Sequence, residues 1–170
     1  MDDLSGRKKL LKASRLKRGR VLDIGLGECG CMSLFLAKNG FDVIGIDNST
    51  KAIHNSRKEA EKAKLKGTLE VMLCNADNLF FDNDEFDAVF SYHSMHHIEN
   101  VERAIGEMFR VCKADGLVLI SDLHENGHKV YDHEPDRTLL LEKIEEILRQ
   151  HAKEIKIINT KNNMMFICKK

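Results

Sequence analysis

Short runs rich in Val, Ile and Leu alternate with amphipathic stretches along most of the chain. The runs at 21–24, 43–46, 69–73, 88–91 and 117–121 are brief and mostly apolar, as strands buried on both faces of a sheet should be. Between them the 3.6-residue period predicts helices over 32–38, 51–64 and 101–112. Gly40 and Gly67 stand where C-terminal caps belong, and Asn48, Ser49 or Thr50 can cap the second of these helices. Leu140, Leu141, Ile144, Ile147 and Leu148 recur at helical spacing and predict a long helix over 138–150. In the tail, Ile155, Ile157 and Ile158, then the turn-like Asn162-Asn163, then 165–168 predict an antiparallel hairpin at the sheet's edge. Strand and helix in regular alternation is the mark of an α/β fold, a mostly parallel sheet with helices on both faces.

Composition narrows this to one domain. A chain of 170 residues, 42% hydrophobic and 32% charged, builds one core comfortably and two poorly. It has no internal repeat and a single proline, Pro135. We read residues 1–170 as one domain, with a basic N-terminal helix over 1–18 and the core over 19–170.

Lys plus Arg and Asp plus Glu each total 27, so net charge gives no argument for a nucleic-acid or membrane partner. The distribution is uneven, however. Arg7, Lys8, Lys9, Lys12, Arg15, Lys17, Arg18 and Arg20 crowd the first twenty residues, whereas 67–102 holds no Lys or Arg. The basic end could meet a nucleic acid or a partner subunit. An amphipathic helix with Leu4, Leu10, Leu11 and Leu16 on its inner side explains it equally well. No apolar stretch approaches the ~20 residues needed to span a bilayer, and the start lacks the apolar run of a secretory signal. The expectation is a cytoplasmic protein with no membrane partner. Cys29, Cys31, Cys74, Cys112 and Cys168 form no C-x-x-C pair and predict reduced thiols rather than a disulfide frame or zinc site.

Chemistry concentrates after the first strand. "VLDIGLGECG" places Gly25, Gly27 and Gly30 in a G-x-G-x-x-G turn, and the second strand ends at Asp47, about twenty residues on, where a carboxylate can accept both ribose hydroxyls of a nucleoside. NAD would set a diphosphate over this turn; S-adenosylmethionine would set a sulfonium and an ammonium there. Asp23 and Glu28 flank the turn, and no Lys or Arg occurs from 21 to 37. Two carboxylates within ~6 Å of a diphosphate would each cost about 1 kcal/mol or more. The same pair favours a cationic ligand, so the charge pattern prefers S-adenosylmethionine.

With these residues and the stretch "FDAVFSYHSMHHIENVERAIGEMFRVCKADGLVLISDL", the chain resembles class I S-adenosylmethionine-dependent methyltransferases, most closely the type 11 group. "FDVIGIDNS" and "CNADNLFFDNDEFD" supply the intervening motifs in order. The resemblance implies a Rossmann-like seven-stranded sheet of order 3-2-1-4-5-7-6 with the last strand antiparallel. It implies that Gly25 and Gly27 face the cofactor's methionine, with Glu28 in the same turn, that Asp23 meets its ammonium directly or through water, and that Asp47 holds the ribose beside Asn48. Asn75 and Ala76 fall where the group reads the adenine amino group with Asp-Ala, and Asp77 could substitute. Ser91 and Tyr92 would border the methionine. The group's third glycine falls at Cys29 here, and Gly30 follows one place later.

Methyl transfer is an in-line displacement that rests chiefly on positioning, so no catalytic residue is obligatory. His93, His96 and His97 are the candidate bases, should the acceptor have to lose a proton. Asp122, His124, Glu125, His128, Asp132, His133 and Glu134 form a loop cluster whose spacing matches no established ligand pattern, and no metal is assigned. No insertion is large enough for a lid domain, which points to an open pocket: a large acceptor, a partner subunit, or closure by residues 1–18. The alternatives are an NAD-dependent oxidoreductase, or a regulatory module that binds S-adenosylmethionine without turnover. The methyl acceptor is not legible.

Overall fold

A computed structural model describes residues 3–124 and 138–170. The chain runs α1 (Leu4–Ser14), β1 (Arg20–Ile24), α2 (Cys31–Lys38), β2 (Asp42–Asp47), α3 (Thr50–Lys62), β3 (Thr68–Leu73), β4 (Phe86–Tyr92), a 3₁₀ turn (Met95–His97), α4 (Val101–Val111), β5 (Cys112–Leu123), α5 (Thr138–His151), β6 (Glu154–Asn159) and β7 (Asn163–Lys169). The strands form one sheet in the order β3-β2-β1-β4-β5-β7-β6. β1 to β5 pair in parallel, and β7 is antiparallel to both its neighbours. This is the expected topology.

The strands that read as apolar throughout are buried on both faces. Val21, Val43, Ala88 and Phe90 pack with Leu10 of α1 and with Met32 and Leu36 of α2, whereas Leu22, Ile44, Val89 and Val118 pack with Ile105 and Met108 of α4 and Ile144 and Leu148 of α5. Each of these side chains is at most 5% exposed. α3 lies over β2 and β3, sealed by Leu26, Ala52, Ile53 and Val71. Ser49 is the cap of α3, its Oγ accepting from the Ala52 N–H at 3.3 Å.

Four local expectations need correction. Gly67 caps nothing, since α3 already ends at Lys62; it is required because a Cβ there would lie 2.0 Å from the Phe41 carbonyl oxygen. β5 begins at Cys112, five residues before the apolar run. Its register on β4 shifts between Phe86 and Ala88, with Asp115 at φ 64, so Lys113 to Gly116 form a bulge inside a longer strand. In the hairpin, Asn163 starts β7 instead of turning, because Thr160 Oγ1 accepts from the Asn162 and Asn163 N–H groups and closes the turn first. Leu4 is 41% exposed at the first turn of α1, while Leu10 is fully buried.

No described helix is long and apolar enough to cross a membrane. The His-rich stretch, to which no metal is assigned, falls largely within 125–137, outside the described residues, which themselves hold no group of three or more potential metal ligands.

Candidate active site

The carboxyl ends of β1, β2 and β4 open onto a cavity of about 1080 Å³, at the place where the strand order reverses. The turn after β1 forms its floor. The Gly25 N–H donates to the Ile46 carbonyl at 2.9 Å, tying the turn to β2. Gly25 has φ 87, and a Cβ on it would sit 2.3 Å from the Ser94 side chain. Gly27, at φ 59, would direct a Cβ into open space. One glycine therefore permits packing below the turn, and the other leaves room above it for a ligand.

Asp47 faces this turn across the crevice. Its Oδ2 accepts from the Gly27 N–H at 3.1 Å and its Oδ1 from the Ser49 N–H at 2.9 Å. Glu28 and Asn48 share the wall with it, and Asn75, Ala76 and Asp77, following β3, line the far side. Tyr92, His93 and His97 line the end beyond β4. The structure thus gathers most of the residues picked out in the sequence around one space.

Three of them lie elsewhere. Asp23 is fully buried beneath the turn, its Oδ2 accepting from Ser33 Oγ at 2.5 Å, and presents no surface to the cavity. Burial pushes the Asp23 carboxyl up to about 7, against the lowering effects of Ser33 and of Arg7's charge. Ser91 is likewise fully buried in β4, behind the cavity wall. His96 is 3% exposed and braces the 3₁₀ turn: its Nδ1 lies 2.6 Å from Asp122 Oδ1, and its N–H donates to Asp122 Oδ2 at 3.1 Å. Burial opposes ionisation of Asp122, but the bond to His96 and that residue's charge hold its carboxyl below the usual range. His96 lines a separate hollow of about 270 Å³ with Met95, Ile98 and Leu140.

His93 is the histidine seated at the cavity's inner end. It adopts φ 57, its ring stacks on Tyr92 with centroids 4.3 Å apart, and Nε2 lies 4.0 Å from Asp3 Oδ2. Burial depresses its pKa to about 4, with Asp122 and Asp3 only partly opposing. The imidazole is therefore neutral at physiological pH.

Sequence reasoning missed the contribution of α1. Asp3 and Arg7 reach the same cavity. Asp3 caps the helix, with Oδ1 accepting from the Gly6 N–H at 2.9 Å, while Oδ2 accepts from Tyr92 Oη at 2.6 Å and Asn163 Nδ2 at 2.8 Å. Helical spacing carried the signal: positions 3, 7 and 10 share one face, and Leu10 marks that face as the inner one. Two of the five cysteines also depart from expectation, while Cys74, Cys112 and Cys168 are free thiols as read. Cys29 and Cys31 are joined in a disulfide within the turn, and both line the cavity.

A family model described as a methyltransferase domain matches residues 22–120, more than half of the chain. The chain belongs to this methyltransferase-domain family. Its match covers β1 through most of β5 and leaves α1, α5 and the closing hairpin outside. A 24-methylenesterol C-methyltransferase 2 of Oryza sativa subsp. japonica is 33% identical over 98 residues, 58% of this chain and 27% of that protein. A phosphatidylethanolamine N-methyltransferase of Cereibacter sphaeroides is 31% identical over 116 residues, 68% of this chain and 56% of that protein. The chain thus spans from about a quarter to little more than half the length of these relatives. The crystal structure of a SAM-dependent methyltransferase from Aquifex aeolicus superposes with a TM-score of 0.77 at 20% identity, covering 96% of this chain and 88% of that one, which establishes the shared fold.

Proposed function

We propose that this domain binds S-adenosylmethionine in the cavity above the β1 turn and is the catalytic domain of a methyltransferase. One observation carries the reading: Gly27, with nothing within 4 Å of where its Cβ would stand, borders the same cavity as the Asp47 carboxylate that accepts from its N–H at 3.1 Å, a setting that suits a ribose and its attached sulfonium chain. Among the described lining residues, Asp3, Glu28, Asp47, Asp77 and Glu99 face Arg7 and Lys51 as the only Lys or Arg. This excess of carboxylate supports a cationic sulfur nucleoside over a dinucleotide diphosphate, whose charge each nearby carboxylate would oppose by about 1 kcal/mol or more. The methyltransferase names of the two relatives point the same way.

In this reading Asp47 accepts the ribose hydroxyls, Asn48 lies beside the adenine, and Asn75 or Asp77 accepts from its amino group. Gly25, Gly27 and Glu28 border the methionine end with Tyr92. Bound S-adenosylmethionine supplies an activated methyl group on a positive sulfur. The protein's own contribution is to hold the acceptor in line, a positioning effect that can be worth roughly 7–11 kcal/mol. His93, neutral and held over Tyr92, orients a nucleophile by accepting its hydrogen bond at a ring nitrogen, and His97 stands at the mouth. For the acceptor, the exposed Lys8, Lys9, Lys12 and Arg15 on the outer face of α1 favour an anionic partner such as a nucleic acid.

Isothermal titration calorimetry with S-adenosylhomocysteine and with NAD separates the readings. Micromolar binding of the former and no heat from the latter is expected; NAD binding without S-adenosylhomocysteine binding would return the site to an oxidoreductase.

A further inference from the structure

The turn that floors the cavity carries a feature the methyl-transfer reading leaves unused. Cys29 and Cys31 are half-buried, both border the cavity, and their sulfurs are bonded across a single glycine. Gly30, between them, sits at φ 58, and a Cβ there would lie 2.7 Å from Ser56 Oγ. Only glycine fits, and its left-handed conformation lets the flanking sulfurs meet on one side of the chain. Cys112 and Cys168 are buried with pKa values pushed up to about 12 by burial, so they are poor partners for exchange. The pair at the cavity is chemically distinct from them.

From this we infer that Cys29 and Cys31 form a reversible thiol-modification site whose oxidised state presets the turn for the cofactor; the coupling rests on the cofactor reading above. The inner side of the turn is anchored independently, by buried Leu26 and by the Gly25 and Gly30 N–H groups, which donate to the carbonyls of Ile46 and Leu26 at 2.9 Å each. The junction of the turn with α2, Cys29 to Cys31, holds Gly30 in a left-handed conformation and is closed by the disulfide. Reduction restores side-chain and backbone freedom at that junction, which must then be ordered again on binding.

The step balances by thiol–disulfide exchange. A thiolate of a small dithiol or a thioredoxin-like protein attacks one sulfur of the pair, giving a mixed disulfide and one cysteine thiolate. The reductant's second thiolate then attacks its own sulfur in that mixed disulfide and releases the other cysteine. The two electrons given up by the reductant reduce the Cys29–Cys31 bond, two protons leave both cysteines as thiols, and the reductant is left with a disulfide of its own.

The test uses the full chain purified without reductant. Alkylation and peptide mass spectrometry should find Cys29 and Cys31 protected before, and labelled after, treatment with dithiothreitol. Calorimetry with S-adenosylhomocysteine should show oxidised protein binding about tenfold tighter than reduced protein, a difference readily resolved between two titrations. The Cys29→Ser/Cys31→Ser variant should match the reduced protein with and without dithiothreitol. Equal affinity in the two redox states, tighter binding after reduction, or free Cys29 and Cys31 in diamide-treated protein overturns the inference. Should no form bind S-adenosylhomocysteine, the cofactor reading fails and the coupling with it, while the labelling still decides whether the modification site exists.

Discussion

Replacing Asp47 with alanine removes the acceptor of two backbone N–H groups, those of Gly27 and Ser49, and in the proposed complex the acceptor of the ribose as well. Hydrogen bonds to a charged group are worth about 1.5–3 kcal/mol, so S-adenosylhomocysteine affinity should fall about 10- to 100-fold. Circular dichroism should remain native; unchanged affinity by calorimetry would show that the ribose lies elsewhere. Asp23 teaches a different lesson. A carboxylate beside a glycine turn reads as a ligand, but the strand carrying it is covered on both faces, and the side chain lies under the turn with its pKa near 7. Sequence spacing places such a residue and says nothing about which side of the backbone meets solvent. Because the folded pKa lies above the unfolded value of 3.8, the native state holds the proton longer, and this contribution to stability is lost as pH rises from about 4 through 7. Asp23→Asn removes that loss. Thermal denaturation from pH 5 to 8 should show the variant gaining on the wild type as pH rises, and parallel curves would exclude a raised Asp23. His93 acts in the opposite sense, its depressed pKa of about 4 favouring the fold above 6.5 and withdrawing that support as pH falls toward 4.

At the level of elements, α1 shows how a segment outside the family match completes the site. Lys8, Lys9, Lys12 and Arg15 lie exposed as a solvated face requires, Arg7 turns inward at 5% exposure, and the leucines form a partial inner face. What periodicity could not supply was the contact across 160 residues from Asp3 to Asn163, which depends on the hairpin turn closing at Thr160 and so freeing Asn163 to begin β7. Asp3→Ala deletes the N-terminal cap, typically ~1 kcal/mol, and leaves Tyr92 Oη and Asn163 Nδ2 without this acceptor at the cavity wall. A loss of roughly 2–3 kcal/mol in the local stability of α1 is expected. Hydrogen exchange should report it as faster exchange along α1, with α4 on the opposite face unaffected. Uniform acceleration through both helices would mean that α1 unfolds only with the whole domain. Burial raises the Asp3 carboxyl but the bonds from Tyr92, Gly6 and Asn163 outweigh it, so the same contribution should be present above pH 3.8 and fade as pH falls below it.

For the molecule as a whole, the sheet order was legible because five apolar runs alternate with helices, and the family resemblance ordered them. The site was legible wherever chain position fixes location, at the strand ends bearing Gly25, Asp47 and Asn75. It was illegible where tertiary contact decides, in the burial of His96 against Asp122 and in the joining of Cys29 to Cys31. Charge lies between these cases: the sequence shows a basic start and an acidic middle, and the fold puts Asp77 and Glu99 in the cavity lining and Lys8, Lys9 and Lys12 outside it, exposed on the outer face of α1. No described carboxylate pairs with those three lysines. In the nucleic-acid reading proposed above, an anionic chain would lie along the exposed lysines of α1, and the carboxylates lining the cavity would oppose entry of its phosphates. Single-stranded nucleic acid releases counterions with a slope of about −0.7 per phosphate contact. Three or four contacts therefore give a log–log salt slope of about −2 to −3, measurable by fluorescence anisotropy with a labelled oligonucleotide. The variant Lys8→Glu/Lys9→Glu/Lys12→Glu should abolish that slope and the binding, yet keep its affinity for S-adenosylhomocysteine, since none of the three lines the cavity. Oligonucleotide binding that persists in the variant, or a wild type that shows none at low salt, would remove α1 as the acceptor's approach.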